Sequence, residues 1–180
     1  SLHDALPIWL YTDSPDKAIE TAQKIAELNP DTVRIYPAIT LKNTHLASLY
    51  QQGVFIPEKL EDSIELCAKL LDFFMKKDIK VIKLGLHASE EVEANYVAGP
   101  YHPSFRELCE SRLYLNKAIE LLQNTDKSKN VTLIVNNKCI SKMTGNQKNN
   151  IKALKEVGFV CTVKGDALIS PYSIKIEIGE

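Results

Sequence analysis

The chain has 180 residues, 44% hydrophobic and 25% charged, which is enough for one sizeable core or two small ones and excludes both disorder and low complexity. Net charge is only -1, yet residues 1–126 carry 13 Lys+Arg against 19 Asp+Glu (net -6), while residues 127–180 carry 9 against 4 (net +5), so a basic unit follows an acidic one. No apolar run approaches the roughly 20 residues that a membrane-crossing helix needs, and the expectation is a cytoplasmic protein with no membrane partner.

Residues 1–8, Ser-Leu-His-Asp-Ala-Leu-Pro-Ile, resemble the conceptual translation of a sequencing-adapter oligonucleotide, so they are left outside the fold and native sequence is expected from about Trp9. Ser14-Pro15 is an N-cap followed by a first-turn proline. Ala18, Ile19, Ala22, Ile25 and Ala26 then share one face, which predicts a helix over 15–28 closed by Asn29-Pro30. A strand over 32–36 and an extended stretch over 38–41 follow, and Thr44 caps a short helix that stops before Gly53. Ile64, Cys67, Leu70, Leu71 and Phe74 recur at helical spacing over 60–77, ahead of a buried strand over 81–86. Glu90, Glu91 and Glu93 make an acidic loop. Ser104-Phe105-Arg106-Glu107 is a capping box for a long helix with the stripe Phe105, Leu108, Cys109, Arg112, Leu115, Ile119 and Leu122.

After a polar linker over 124–130 come a strand over 131–135, a short helix over 139–143, a turn at Gly145, a helix over 148–157, and strands over 159–163 and 172–178. The fold class is therefore α/β. Alternating helices and strands imply parallel pairing with right-handed crossovers in residues 9–126, and residues 127–180 form a small basic α+β extension.

Alternation along a strand sends Val33 and Ile35 one way and Arg34 and Tyr36 the other. In the second strand Ile82, Leu84 and Leu86 are assigned to the helix-covered face, which leaves Lys83, Gly85 and His87 beside Arg34 and Tyr36. An unpaired cation in a closed apolar interior carries a large desolvation cost, so this polar face points to a ligand, or to a carboxylate that pairs with Arg34 or Lys83. Arg34, Tyr36, Lys83, Gly85 and His87 are the candidate cofactor-binding residues; no catalytic residue is assigned. His102 either lines the same mouth or ties down its loop. Cys67, Cys109, Cys139 and Cys161 stand 42, 30 and 22 positions apart, so no metal-ligand spacing exists and no metal site is expected; all four are taken as reduced.

In the basic unit, the segment from Met143 through Gly145, Asn146, Gln147 and Lys148 resembles the G-x-x-G turn of a KH RNA-binding module, with Lys148 in place of the second glycine. Lys142, Gly145, Lys148 and Lys152 are the candidate RNA-binding residues. A generic basic unit with a solvated lysine surface is the plainer reading.

Residues 10–115 resemble the second half of radical S-adenosylmethionine proteins, in the group around the elongator catalytic subunit and the oxygen-independent coproporphyrinogen oxidase-like enzymes. The resemblance rests on Leu10-Tyr11-Thr12-Asp13-Ser14, on residues 31–37 (Asp-Thr-Val-Arg-Ile-Tyr-Pro), on residues 80–86, and on residues 99–111, which open Gly-Pro-Tyr-His-Pro-Ser-Phe-Arg-Glu. It implies the C-terminal part of a (β/α) partial TIM barrel followed by a KH-like unit. It also implies a parent enzyme that uses S-adenosylmethionine and a [4Fe-4S] cluster held by C-x3-C-x2-C to generate a 5'-deoxyadenosyl radical. That motif is absent here, so the chain is expected to be a fragment, inactive alone, whose partner is the missing N-terminal half of the same protein. The elongator branch implies wobble-uridine modification and tRNA as a partner; the alternative is a non-enzymatic RNA-binding protein acting through residues 127–180.

Overall fold

Three parallel strands and the two helices that cross between them organise the first half of the chain. The computed structural model describes residues 3–8, as backbone, and residues 13–179. In chain order the elements are β1 (His3–Ile8), α1 (Pro15–Glu27), β2 (Thr32–Pro37), β3 (Thr40–Leu41), α2 (His45–Gln51), α3 (Leu60–Lys76), β4 (Lys80–Leu84), α4 (Glu90–Asn95) and β5 (Tyr96–Ala98). These are followed by α5 (Phe105–Leu122), β6 (Asn130–Val135), α6 (Ile140–Thr144), α7 (Asn149–Glu156), β7 (Val160–Gly165) and β8 (Lys175–Ile178). They divide into two compact units, residues 1–106 and 107–180, with the division in the first turn of α5, well ahead of the polar stretch at 124–130.

In the first unit the sheet order is β1-β2-β4, all parallel, and β3 pairs antiparallel with β5 in a separate two-stranded ladder. Ser14 and Thr44 cap α1 and α2 by accepting the N–H of Lys17 and Ala47. All of the α3 stripe is buried, Ile64, Cys67, Leu70, Leu71 and Phe74. α3 packs on β4, α1 on β1, and the two helices on each other, so both lie on one side of the sheet.

Two expectations fail here. The backbone of His3–Ile8, left outside the fold on sequence grounds, pairs with β2 from His3 opposite Thr32 to Ile8 opposite Pro37. Ladder bonds are main-chain bonds, and the free edge of β2 accepts any extended segment; Pro7 is tolerated because β1 ends the sheet among the described residues. The acidic loop is a helix, α4: Ser89 accepts the Val92 N–H, and Glu90, Glu91 and Glu93 favour the positive end of its dipole.

The second unit is a mixed three-stranded sheet, order β7-β6-β8, with β6 parallel to β7 and antiparallel to β8. Its core joins Tyr114, Ala118 and Leu122 of α5 to Val131, Leu133 and Val135 of β6 and to Met143, Leu154 and Phe159. The last strand is shorter than the sequence suggests. Tyr172 sits in a turn at φ 64 and is fastened to α5: its N–H donates to Tyr114 Oη at 2.7 Å, its hydroxyl to Glu110 at 2.7 Å, and its carbonyl accepts from Lys117 at 3.1 Å. Glu110, 3% exposed, also pairs with Lys142 Nζ at 2.5 Å.

Two outcomes follow from this network. Glu110→Ala leaves Lys142 and the Tyr172 hydroxyl half-buried without their partner and costs about 2–4 kcal/mol in denaturant unfolding. Burial, and then the hydrogen bond with Cys139, hold the Tyr114 phenol well above its ordinary value of 10.0. At Lys142, burial acts downward and is outweighed by Glu110, which raises the ammonium above 10.5. Both folded values lie above the unfolded ones, so both contributions are complete below about pH 10 and disappear as pH rises beyond it. An absorbance titration of tyrosinate should show Tyr114 ionising only with cooperative alkaline unfolding.

Candidate functional site

One residue decides which side chains stand on each face of the parallel sheet. Val33 lies opposite Val81, but Arg34 lies opposite Lys83 and Ile35 opposite Leu84, so Ile82 is an inserted residue, a β-bulge. Val33, Ile35, Val81 and Leu84 are buried on the helix side. Arg34 and Tyr36 are half-exposed and Lys83 is exposed, on the side of the strands opposite those buried residues. The face assignment for Arg34, Tyr36 and Lys83 therefore stands, while that for Ile82 does not: it is half-exposed, and Val81 takes its place in the core. Among the described residues, no hydrogen bond or ion pair engages the side chains of Arg34, Tyr36 or Lys83.

Gly85 and His87 do not continue this face. β4 ends at Leu84, and Gly85 donates its N–H to Ile35 O at 2.9 Å at φ 80. A Cβ at Gly85 would stand 2.5 Å from Phe105 Cδ1, so what requires glycine there is the ring of Phe105. His87 lies beyond the strand, exposed in the connection to α4.

The segment 99–106 spans the C-terminal ends of β2 and β4. At one end Gly99, φ 107, lies so near the Ala38 carbonyl that a Cβ would come within 3.2 Å of it; at the other, Phe105 fills the space above Gly85. Between them His102 Nδ1 accepts the Ser104 N–H at 3.0 Å, so the neutral ring carries its proton on Nε2, and the His102 carbonyl accepts the Phe105 N–H. His102 thus ties down its loop immediately ahead of α5. Arg106 then reaches back to Val81 O at 3.2 Å, beside the bulge. Sequence reasoning missed Arg106 and also Thr40, a fully buried residue whose hydroxyl has no partner among the described residues. Strand C-terminal ends are where barrel enzymes build their sites.

On the helix side, a groove of about 430 Å3 between α1 and α3 is lined by Asp16, Glu58, Asp62, Glu65, Leu66 and Lys69. Burial, with Asp62 adding to it, raises the Glu58 carboxyl.

In the second unit the candidate RNA-binding residues separate into two kinds. Lys148 and Lys152 are exposed, as is Lys155; Lys152 and Lys155 lie one turn apart on α7, while Lys148 precedes the helix in a left-handed conformation at φ 62. Lys142 is half-buried in its pair with Glu110, and Gly145 is held by Asn150, whose backbone nitrogen a Cβ would approach to 2.8 Å. Asn150 is itself fixed by donating to Ser111 O at 2.9 Å.

An iron-sulfur cluster needs gathered thiolates. Cys67, Cys109, Cys139 and Cys161 are buried in α3, α5, the turn before α6 and β7, and burial pushes the Cys161 thiol up. Among the described residues no three His, Cys, Asp or Glu side chains gather as a metal would require. These residues do not fit the cluster. Arg34, Tyr36 and Lys83 present two cations and a hydroxyl on one face, with no side-chain partner among the described residues. No helix among the described residues is long and apolar enough to cross a membrane.

Residues 30–115 match the family model described as the Radical_SAM C-terminal domain, which supports reading the chain as a radical S-adenosylmethionine family member. The matched span runs from just before β2 to the middle of α5 and so takes in the bulge and segment 99–106 together. No curated protein matches the chain.

Replacing Gly85 by Ala forces a side chain onto φ 80 and into Phe105, and thermal melting should register a loss of about 2–4 kcal/mol. An unchanged melt would contradict this packing.

Proposed function

We propose that the chain supplies the C-terminal wall of a radical S-adenosylmethionine enzyme's barrel, in the elongator-like and coproporphyrinogen oxidase-like group. The observation that carries this reading is the polar face shared by β2 and β4, which lies within the matched span and opposite the buried face of those strands. Bound S-adenosylmethionine would be the source of radical chemistry in the whole enzyme, and Arg34, Tyr36 and Lys83 would be the residues of this chain that hold it. This chain's residues bind and orient. Arg34 and Lys83 offer charge to a carboxylate, Tyr36 offers a hydroxyl, and His102 Nε2–H a donor at the strand ends. His87 stands at the rim, where its exposed ring can reach a ligand that overhangs β4, and Gly85 acts by seating Phe105. The transcript encoding this chain should read upstream into a C-x3-C-x2-C motif; one that opens directly into this segment without it would contradict the proposal.

Lys148, Lys152 and Lys155 favour a second reading: the basic unit binds RNA, with tRNA as the substrate of the whole enzyme or, alternatively, as the partner of a non-enzymatic protein. Three exposed lysines, Lys148 in the turn before α7 and Lys152 and Lys155 on it, have no acidic partner among the described residues and offer charge to a phosphate backbone. The Lys148-bearing turn adds its KH resemblance. Filter binding of tRNA should fall steeply with salt, and Lys148→Glu/Lys152→Glu should weaken it more than tenfold and flatten the salt slope by about two. Binding that ignores both salt and these substitutions would remove this reading.

A further inference from the structure

We propose that Arg34 and Lys83 form an oxyanion site, two cations that clasp one carboxylate or phosphate group of the ligand on the open sheet face. This rests on the barrel reading above and narrows it to one chemistry at one place.

The argument starts from register. Strict alternation from the Val33–Val81 pair would set Ile82 opposite Arg34 and turn Lys83 toward the helices. The inserted residue exchanges them, so Lys83 meets Arg34 across neighbouring strands, about 4.8 Å apart in the hydrogen-bonding direction. Like charges facing each other across a sheet repel, and nothing among the described residues neutralises either one. An anion between them satisfies both. Arg contributes a planar fork suited to two oxygens and Lys a point charge, a complementary pair for a carboxylate or phosphate.

Core satisfaction alone also explains the bulge, because it buries Leu84 rather than Lys83. The two explanations differ in what the charges do. If the pair is a binding site, removing either charge costs binding and not stability; if the charges are incidental, it costs neither.

Arg106 is the positioning residue. Its guanidinium donates to Val81 O, the residue just before the insertion, and so holds the strand where the exchange occurs.

The test is a titration of the isotope-labelled full chain with inorganic phosphate, followed by amide chemical shifts, in parallel with thermal melting. Saturable shifts should centre on residues 34 and 83. Arg34→Gln and Lys83→Gln should each weaken binding about tenfold while melting at or above the parent temperature. Lys77→Gln, a lysine at the end of α3 away from this face, should leave binding unchanged. Arg106→Ala should weaken phosphate binding less than either charge substitution, and the Lys83 amide resonance should move in the free protein. Competition by S-adenosylmethionine assigns the anion to the cofactor's carboxylate, and lack of competition to a phosphate-bearing substrate; either result supports the pair. Shifts that never saturate, binding unaltered by Arg34→Gln, or equal weakening by Lys77→Gln would overturn it. Loss of the pair with retained S-adenosylmethionine binding leaves the barrel reading standing. Phosphate binding in a protein whose upstream sequence lacks the cysteine motif does the reverse.

Discussion

The single inserted residue in β4 governs both the stability of the first unit and its chemistry. Val81 and Leu84, three positions apart, fall on the same covered face only because Ile82 is looped out of the pairing with β2. A parallel sheet covered by helices on one side needs apolar residues there, and full burial of a Leu or Val side chain contributes roughly 1.5–3 kcal/mol. A lysine in that place would carry the far larger penalty of a desolvated charge. The same insertion determines that the uncovered side carries Arg34 and Lys83 side by side. Core and candidate site are two faces of one register.

That register also shows why the sequence could be followed only part of the way. Helices with strong periodicity and caps, α1, α2 and α3, were legible because Ser14, Thr44 and the Ile64-to-Phe74 stripe each state a local rule that tertiary structure did not override. The faces of β2 were legible because its pairing is regular. Those of β4 were legible only beyond the insertion, at Lys83 and Leu84, since a bulge is invisible to a period of two; Ile82 and Val81 changed places for that reason. His87 was counted into a strand that ends at Leu84 because an apolar run does not declare where pairing stops. The segment 99–106 was recognised as a motif, but its physical role, with Gly99 against Ala38 and Phe105 over Gly85, depends on contacts between residues 20 and 61 positions apart in sequence.

The second unit teaches a related lesson about charge. Read as a stripe, α5 offered Leu108, Arg112 and Leu115, yet the side chains it buries most deeply include Glu110 and Tyr114. Polar groups enter a core when their partners come with them, and those partners, Lys142 and Tyr172, are distant in sequence. The network turns Lys142 from an apparent RNA contact into a structural ion pair, and it stops β8 short of Tyr172. Lys148, Lys152 and Lys155 remain exposed, a smaller basic surface than the net charge of residues 127–180 suggests.

The two-faced sheet is most directly tested by thiol accessibility, because the four native cysteines are all buried and give little background. Single cysteines at positions 34 and 83 should react with a water-soluble thiol reagent at nearly the rate of a free peptide. Cysteines at positions 33 and 84 should react about 100-fold more slowly or less, limited by opening of the fold. Fast labelling at 33 and 84 with protection at 34 and 83 would reverse the faces and contradict both the placement of the core and the site built on the other side.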